Sequence, residues 1–172
     1  MNIKPKKQTI DLEYYRVNWK REHREMSEKL TAQNVRLRIG EKDRLAFFMF
    51  ILAERFFGFD RFDELAFSVY FSNPNNRSQQ VEFDIILGYD DYLFVHDTRI
   101  YPKVEHAQEL ANKLPDIDDL ILFHKGKTVI PIYSSFRVPD LVVDELTKYN
   151  IYAMETSEEA MELPNYEALQ SR

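Results

Sequence analysis

The sequence predicts an α/β protein, a mixed β-sheet with helices on both faces. Residues 81–100, VEFDIILGYDDYLFVHDTRI, alternate apolar and polar side chains on either side of Gly88-Tyr89-Asp90-Asp91, the pattern of a β-hairpin. An earlier β-rich run, LAFSVYF at 65–71, leads into the turn signal Asn73-Pro74-Asn75-Asn76, so three sequential strands form an antiparallel meander. Later β-rich runs follow segments of helical spacing and therefore arrive through crossovers.

In chain order, residues 1–10 read as a mobile tail. From Asp11, an N-cap candidate, to about Asn34 the chain lacks Gly and Pro, which predicts a helix ~36 Å long. Its apolar positions, Leu12, Tyr15, Trp19, Met26 and Leu30, make a narrow stripe interrupted at Glu22 and His23. Such a stripe suits one partner helix, and a homodimer through this arm is expected. The alternative is a solvated helix lying on its own domain. The helix at about 42–57 is apolar almost all round from Leu45 to Ala53 and should be buried on most sides, with Gly58 ending it. After the meander and Pro102, the residues Val104, Ala107, Leu110, Ala111 and Leu114 recur at helical spacing, and Pro115 closes that helix. Leu120–Phe123 is ambiguous between a helical turn and a short strand. The run TVIPIY at 128–133 is β-rich, but Pro131 argues for an edge or a bulge. Pro139 opens a helix to Lys148, Ile151–Met154 makes a last strand, and the rest is polar and weakly structured. This divides the chain into a tail and helical arm (1–38), an α/β core (39–163) and a C-terminal tail (164–172).

The 172 residues suffice for one domain, and 44% hydrophobic with 14% aromatic content can fill a core. No cysteine is present, which removes disulfides and thiolate metal sites. No apolar run reaches the roughly 20 residues that span a bilayer, and no hydrophobic stretch follows the first lysines. A cytoplasmic protein without membrane contact is expected. The net charge of −6 argues against a surface that grips nucleic acid everywhere, although basic residues gather in the first 44 positions and acidic ones at the C-terminal end.

The chemistry lies in the hairpin. Side chains of a strand alternate between faces, so an even-length turn places Glu82, Asp84, Asp97 and Arg99 on one face. Two aspartates on adjacent strands, with a cation two residues beyond the second, suit a divalent ion. Mg²⁺ takes oxygen ligands and keeps several waters, so two carboxylates and a phosphate suffice. The bland alternative is a solvated face with cross-strand ion pairs. His96 points away from Asp97 and reads as a core histidine bonded to backbone. Asp90 and Asp91 read as turn residues, while His106 and His124 fall on surface segments. Glu54 interrupts the buried helix and reads as an ion-paired or solvated residue ahead of a ligand. Neither a phosphate-cradling glycine loop nor a nucleophile elbow is present.

An aspartate on one strand and a carboxylate-x-basic triplet on the next, within helix, three strands, helix and strand, resembles the PD-(D/E)XK nuclease superfamily. More narrowly, EFDIILGYDDYLFVHDTRIYPKVEHAQELANKL and the downstream TVIPIYSSFRVPDLVVDELTKYNIYAMET are similar to uncharacterised prokaryotic nuclease-like proteins with a helical or coiled-coil segment ahead of the core. The likeness spans roughly residues 40–163. It implies a restriction-endonuclease-like mixed sheet flanked by helices, with an N-terminal helical arm. It also implies Mg²⁺- or Mn²⁺-dependent phosphodiester hydrolysis of nucleic acid. Asp84 and Asp97 would be the metal ligands and, with Arg99, the catalytic set; Glu82, Gln108 and Glu54 would be accessory. Two positions depart from the family pattern, Asp97 where glutamate is usual and Arg99 where lysine is usual. The aspartate is one methylene shorter, and arginine cannot serve as a base although it holds phosphate bidentately. Those departures keep phosphate binding and weaken the case for cleavage, so a degenerate site with impaired or lost activity is expected. The alternative function is a non-catalytic protein-interaction module that retains the scaffold.

Overall fold

The computed structural model describes residues 41–59, 62–73, 76–120, 125–157 and 160–171. The expected helical arm and its homodimer, together with His124, lie outside the described residues. Six strands form one sheet in sequence order. They are β1 (Glu64–Asn73), β2 (Asn76–Tyr89), β3 (Tyr92–Thr98), β4 (Thr128–Ser135), β5 (Tyr152–Thr156) and β6 (Met161–Glu162). The first three pair antiparallel, β3, β4 and β5 pair parallel, and β6 returns antiparallel on β5. Around the sheet lie α1 (Glu41–Phe57), α2 (Val104–Lys113), a short α3 (Ile117–Leu120), α4 (Asp140–Lys148) and α5 (Tyr166–Gln170). The fold is therefore the mixed α/β sheet flanked by helices that the sequence predicts. Among the described residues, no helix is long and apolar enough to cross a membrane.

Two apolar clusters separate the layers. On one face, Phe48, Met49, Leu52 and Phe56 of α1 cover Ile85, Leu87, Phe94, Ile130, Ile132 and Met154. On the other, Ala107 and Leu110 of α2, Ile117 of α3, and Val142 and Leu146 of α4 cover Phe83, Leu93, Val95, Tyr133 and Ala153. Residues 46–53 of α1 are buried without a break, as an apolar-all-round helix requires.

The β1–β2 ribbon turns over partway along. Leu65, Phe67, Ile85 and Leu87 pack on the α1 face, whereas Val69, Phe71, Val81 and Phe83 pack on the α2 face. Residues two apart in a regular strand share a face, so both strands roll between these pairs. Phe67 stands opposite Ile85 and Val69 opposite Phe83, with Ser68 and Asp84 lying between these two pairs. Ser68 has φ of +46°, a left-handed backbone that permits the roll.

Three sequence expectations change. Pro131 lies in an interior strand without a bulge, in unbroken register opposite Val95, at the one end of β4 that is paired on a single side. It is tolerated because β5 joins β4 only from Ile132 onward. The hairpin turn is Asp90-Asp91 alone, since Tyr89 pairs with Tyr92, and Asp90 takes φ of +24°. Finally, the segment 164–172 is no loose tail. The Asn165 side chain accepts from the Ala153 N–H and donates to the Ile151 carbonyl and the Thr147 hydroxyl, each at 2.9 Å. The Tyr166 hydroxyl donates to the Phe56 carbonyl at 2.6 Å, which ties α5 back to α1.

Candidate functional site

The site forms where β2 and β3 part. Their last backbone pair is Ile85 with His96, and one step further Asp84 stands across from Asp97. The strands do not pair there. Instead the Thr98 N–H donates to Asp84 Oδ2 at 2.6 Å, so a carboxylate takes the donor that strand pairing would have satisfied. Asp97 pairs in register with Tyr133 of β4 and shares the α2 face with Val95. The structure thus brings Asp84 and Asp97 together from two adjacent strands.

Asp97 is only 5% exposed. Burial pushes its carboxyl above the ordinary range; Lys113, Arg99 and His106 oppose that shift, and the charge of Asp84 adds to it. Burial likewise raises Asp84, against the Thr98 hydrogen bond and the charges of Arg99 and Lys113. Arg99 Nη2 lies 3.2 Å from Asp97 Oδ2 and 3.7 Å from Glu109 Oε2. The Arg99 contact with Asp97 lacks hydrogen-bond alignment, and Asp97 Oδ2 makes no hydrogen bond among the described residues. Arg99 Nε, Ser135 Oγ and His106 Nδ1 share that condition. The Tyr133 hydroxyl beside them is approached by the Lys103 N–H without a well-formed bond, and burial raises its pKa. Buried polar atoms are seldom left unpartnered. Three of these residues, Arg99, His106 and Tyr133, interact electrostatically with Asp97.

Helix α2 supplies the groups that hairpin spacing alone missed. Lys113 reaches over the Phe83 ring, 5.8 Å from its centroid, and donates to the Glu82 carbonyl at 3.3 Å. Its charge lowers the pKa of both aspartates. His106, Glu109 and Lys113 lie three and four residues apart and form one polar stripe beside the buried Ala107 and Leu110. The sequence signal for that stripe was the apolar spacing of α2, whose flank it occupies.

The accessory candidates have other partners. Glu82 is exposed and accepts the hydroxyl of its cross-strand neighbour Tyr70, whose pKa it raises, while its charge also raises the pKa of Asp84. Gln108 donates to Glu145 Oε1 of α4 at 3.1 Å. Glu54 belongs to α1, the helix that covers the opposite face of the sheet from Asp97. His96 is fully buried on the α1 side, and burial lowers its pKa to about 3. Its Nε2 bonds the Ser134 hydroxyl at 2.7 Å, which corrects the expected backbone partner. Thr98 Oγ1 reaches the same hydroxyl at 3.0 Å.

Asp84 and Asp97 are the two side chains here that could hold a hard cation. Two carboxylates are present, one with a buried oxygen outside any hydrogen bond, and both have burial working against their charged forms. Among the described residues no three His, Asp or Glu side chains gather as a metal-holding group. Water and substrate oxygen would supply the remaining positions.

No family model matches the chain, and no curated protein matches it. A solved structure that resembles it is the crystal structure of protein VC1899 from Vibrio cholerae, at 14% identity and a TM-score of 0.46. That match covers 98% of this chain and 46% of the other, so this chain spans less than half of that protein's length.

Proposed function

We propose that this chain is a nuclease-like domain of the PD-(D/E)XK type that binds nucleic-acid phosphate at Asp84, Asp97, Arg99 and Lys113 and hydrolyses it slowly with Mg²⁺ or Mn²⁺. The observation that carries this reading is the pair of aspartates facing one another where β2 and β3 part, with Asp97 Oδ2 buried against Arg99 and outside any hydrogen bond among the described residues. Asp84 and Asp97 would hold the ion, which when bound polarises a phosphate oxygen and makes a nucleophile of water at neutral pH. Arg99 is always protonated, so it can bind phosphate and stabilise developing charge but cannot accept a proton. Lys113 adds a second cation from α2, and it and His106 are the nearby groups able to carry a proton. The Thr98 N–H fixes the orientation of Asp84 before any ligand arrives.

A second reading rests on the cations already in place. Arg99 pairs with Asp97, and the charge of Lys113 lowers the pKa of both aspartates. Aspartates already matched to cations of the same chain suit a non-catalytic interaction module that has kept the scaffold.

Cleavage assays with Mn²⁺ on labelled nucleic acid separate the two. The nuclease reading expects weak cleavage by the wild type, none by Asp84→Asn, and an increase for the double variant Asp97→Glu with Arg99→Lys. Absence of activity in that double variant favours the interaction module.

A further inference from the structure

Seven large hydrophobic residues are exposed among the described residues, and three of them, Ile100 (69%), Tyr101 (80%) and Phe136 (58%), follow directly on β3 and β4. All three lie in the segments that leave the carboxyl ends of those strands. Those strands are parallel neighbours, paired as far as Thr98 with Ser134, and the Arg99 N–H donates to the Ser134 carbonyl at 2.9 Å. The two loops therefore depart side by side. Crevices outside the carboxyl ends of parallel strands are where α/β sheets place their ligands.

Cations alternate with the aromatic residues on both loops. The first reads Arg99-Ile100-Tyr101-Pro102-Lys103 and the second Phe136-Arg137, with Lys103 and Arg137 exposed. Exposed acids, Glu105 and Asp140, stand at the first turns of the following helices, and the exposed Glu109 of α2 lies 3.7 Å from Arg99, so no acid stands within the loops themselves. Arg99 is also the residue that contacts Asp97, so the aromatic surface is continuous with the site.

We propose that Tyr101 and Phe136, set among Arg99, Lys103 and Arg137 at the carboxyl ends of β3 and β4, form a stacking platform for single-stranded nucleic acid. This rests on the phosphate-binding reading above and names its substrate class. Every base offers a π-face, and stacking on exposed aromatic rings holds single strands with little regard to sequence while neighbouring cations follow the phosphates. A duplex keeps its base faces stacked on one another and cannot present them to a loop rim. The platform would lay unstacked bases across β3 and β4 and bring a phosphate toward Arg99 and the aspartates.

Fluorescence anisotropy tests this with labelled oligothymidylate and oligouridylate of about 20 nucleotides, longer than a typical single-strand footprint, and with a duplex of equal length. Divalent metal is omitted so that no strand is cut. The platform predicts tighter binding of a single strand than of duplex. It also predicts about a fivefold or greater loss for Tyr101→Ala on single strands, near-wild-type binding for Tyr101→Phe, and little change on duplex. Comparison of the two oligonucleotides shows whether DNA or RNA is preferred. Should Tyr101→Ala prove poorly folded by circular dichroism, Tyr101→Leu replaces it, since leucine keeps apolar bulk but not the ring. Unchanged single-strand affinity when Tyr101 and Phe136 are both replaced by alanine overturns the platform. So does duplex binding as tight as single-strand binding, and either result leaves the metal and phosphate site standing. Absence of any nucleic-acid binding overturns the platform and the nucleic-acid reading together.

Discussion

The Thr98 N–H donates to Asp84 Oδ2 at 2.6 Å, across the point where β2 and β3 stop pairing. One hydrogen bond does two things. It satisfies a strand-end donor, and it fixes a carboxylate opposite Asp97. Asparagine can keep the first role through its side-chain oxygen but not the second, because it carries no charge. Substitutions at this position therefore separate folding from function.

Lys113 is predicted to be essential at the site and dispensable for the fold. Its ammonium lowers the pKa of both aspartates from the far side of the cleft. In Lys113→Met the apolar stem is retained over Phe83 while the charge is lost. Carboxyl-detected NMR titration should show both aspartates protonating at higher pH than in the wild type, with an unchanged far-UV spectrum. Unshifted titrations would mean that the lysine does not act on them.

His96 is predicted to make the protein sensitive to mild acid. Its folded pKa, about 3, lies below its ordinary value of 6.5. The unfolded chain therefore takes up a proton first, and stability falls as pH drops below about 6.5. Between pH 7 and pH 5 this one group costs about 2 kcal/mol. Asp84 and Asp97 act in the opposite direction, because their raised folded values bind protons in the native state as the pH falls. Denaturant unfolding of wild type and His96→Gln at the two pH values cancels the aspartates. The variant should lose less stability on acidification than the wild type, and equal losses would contradict a neutral buried imidazole.

Asn165 is predicted to be worth more than its place near the C-terminus suggests. It is 3% exposed and serves the Ala153 N–H and the Ile151 carbonyl. Asn165→Ala strands both backbone groups, at a cost of about 2–4 kcal/mol. Chemical denaturation measures this directly, and a change below about 0.5 kcal/mol would mean that water takes over both bonds.

The hairpin was legible because alternation, a turn signal and strand length all agreed from Val81 to Ile100. The buried α1 was legible because its apolar residues leave no polar face. The roll of the ribbon was not. Counting by twos puts Phe83 and Ile85 on one face, yet they pack on opposite faces, beside the positive φ of Ser68 on the neighbouring strand, a residue with no glycine to advertise it. The same roll explains Glu82: it was grouped with the aspartates by parity, yet it sits with Tyr70. Lys113 and His106 were hidden for another reason, since their role depends on how α2 lies across the sheet and not on hairpin spacing. The docking of residues 161–170 depends on Asn165 and Tyr166, two polar-looking residues whose partners are far away in sequence.

On the proposed reading, Asp84 and Asp97 together grasp one divalent ion. Calorimetric titration of Mn²⁺ into wild type and Asp84→Asn tests it most directly, because the asparagine variant can preserve the Thr98 bond and with it the fold. The account predicts a saturable heat near one ion per chain in the wild type and none in the variant. Equal heats from both proteins, or none from either, would contradict it.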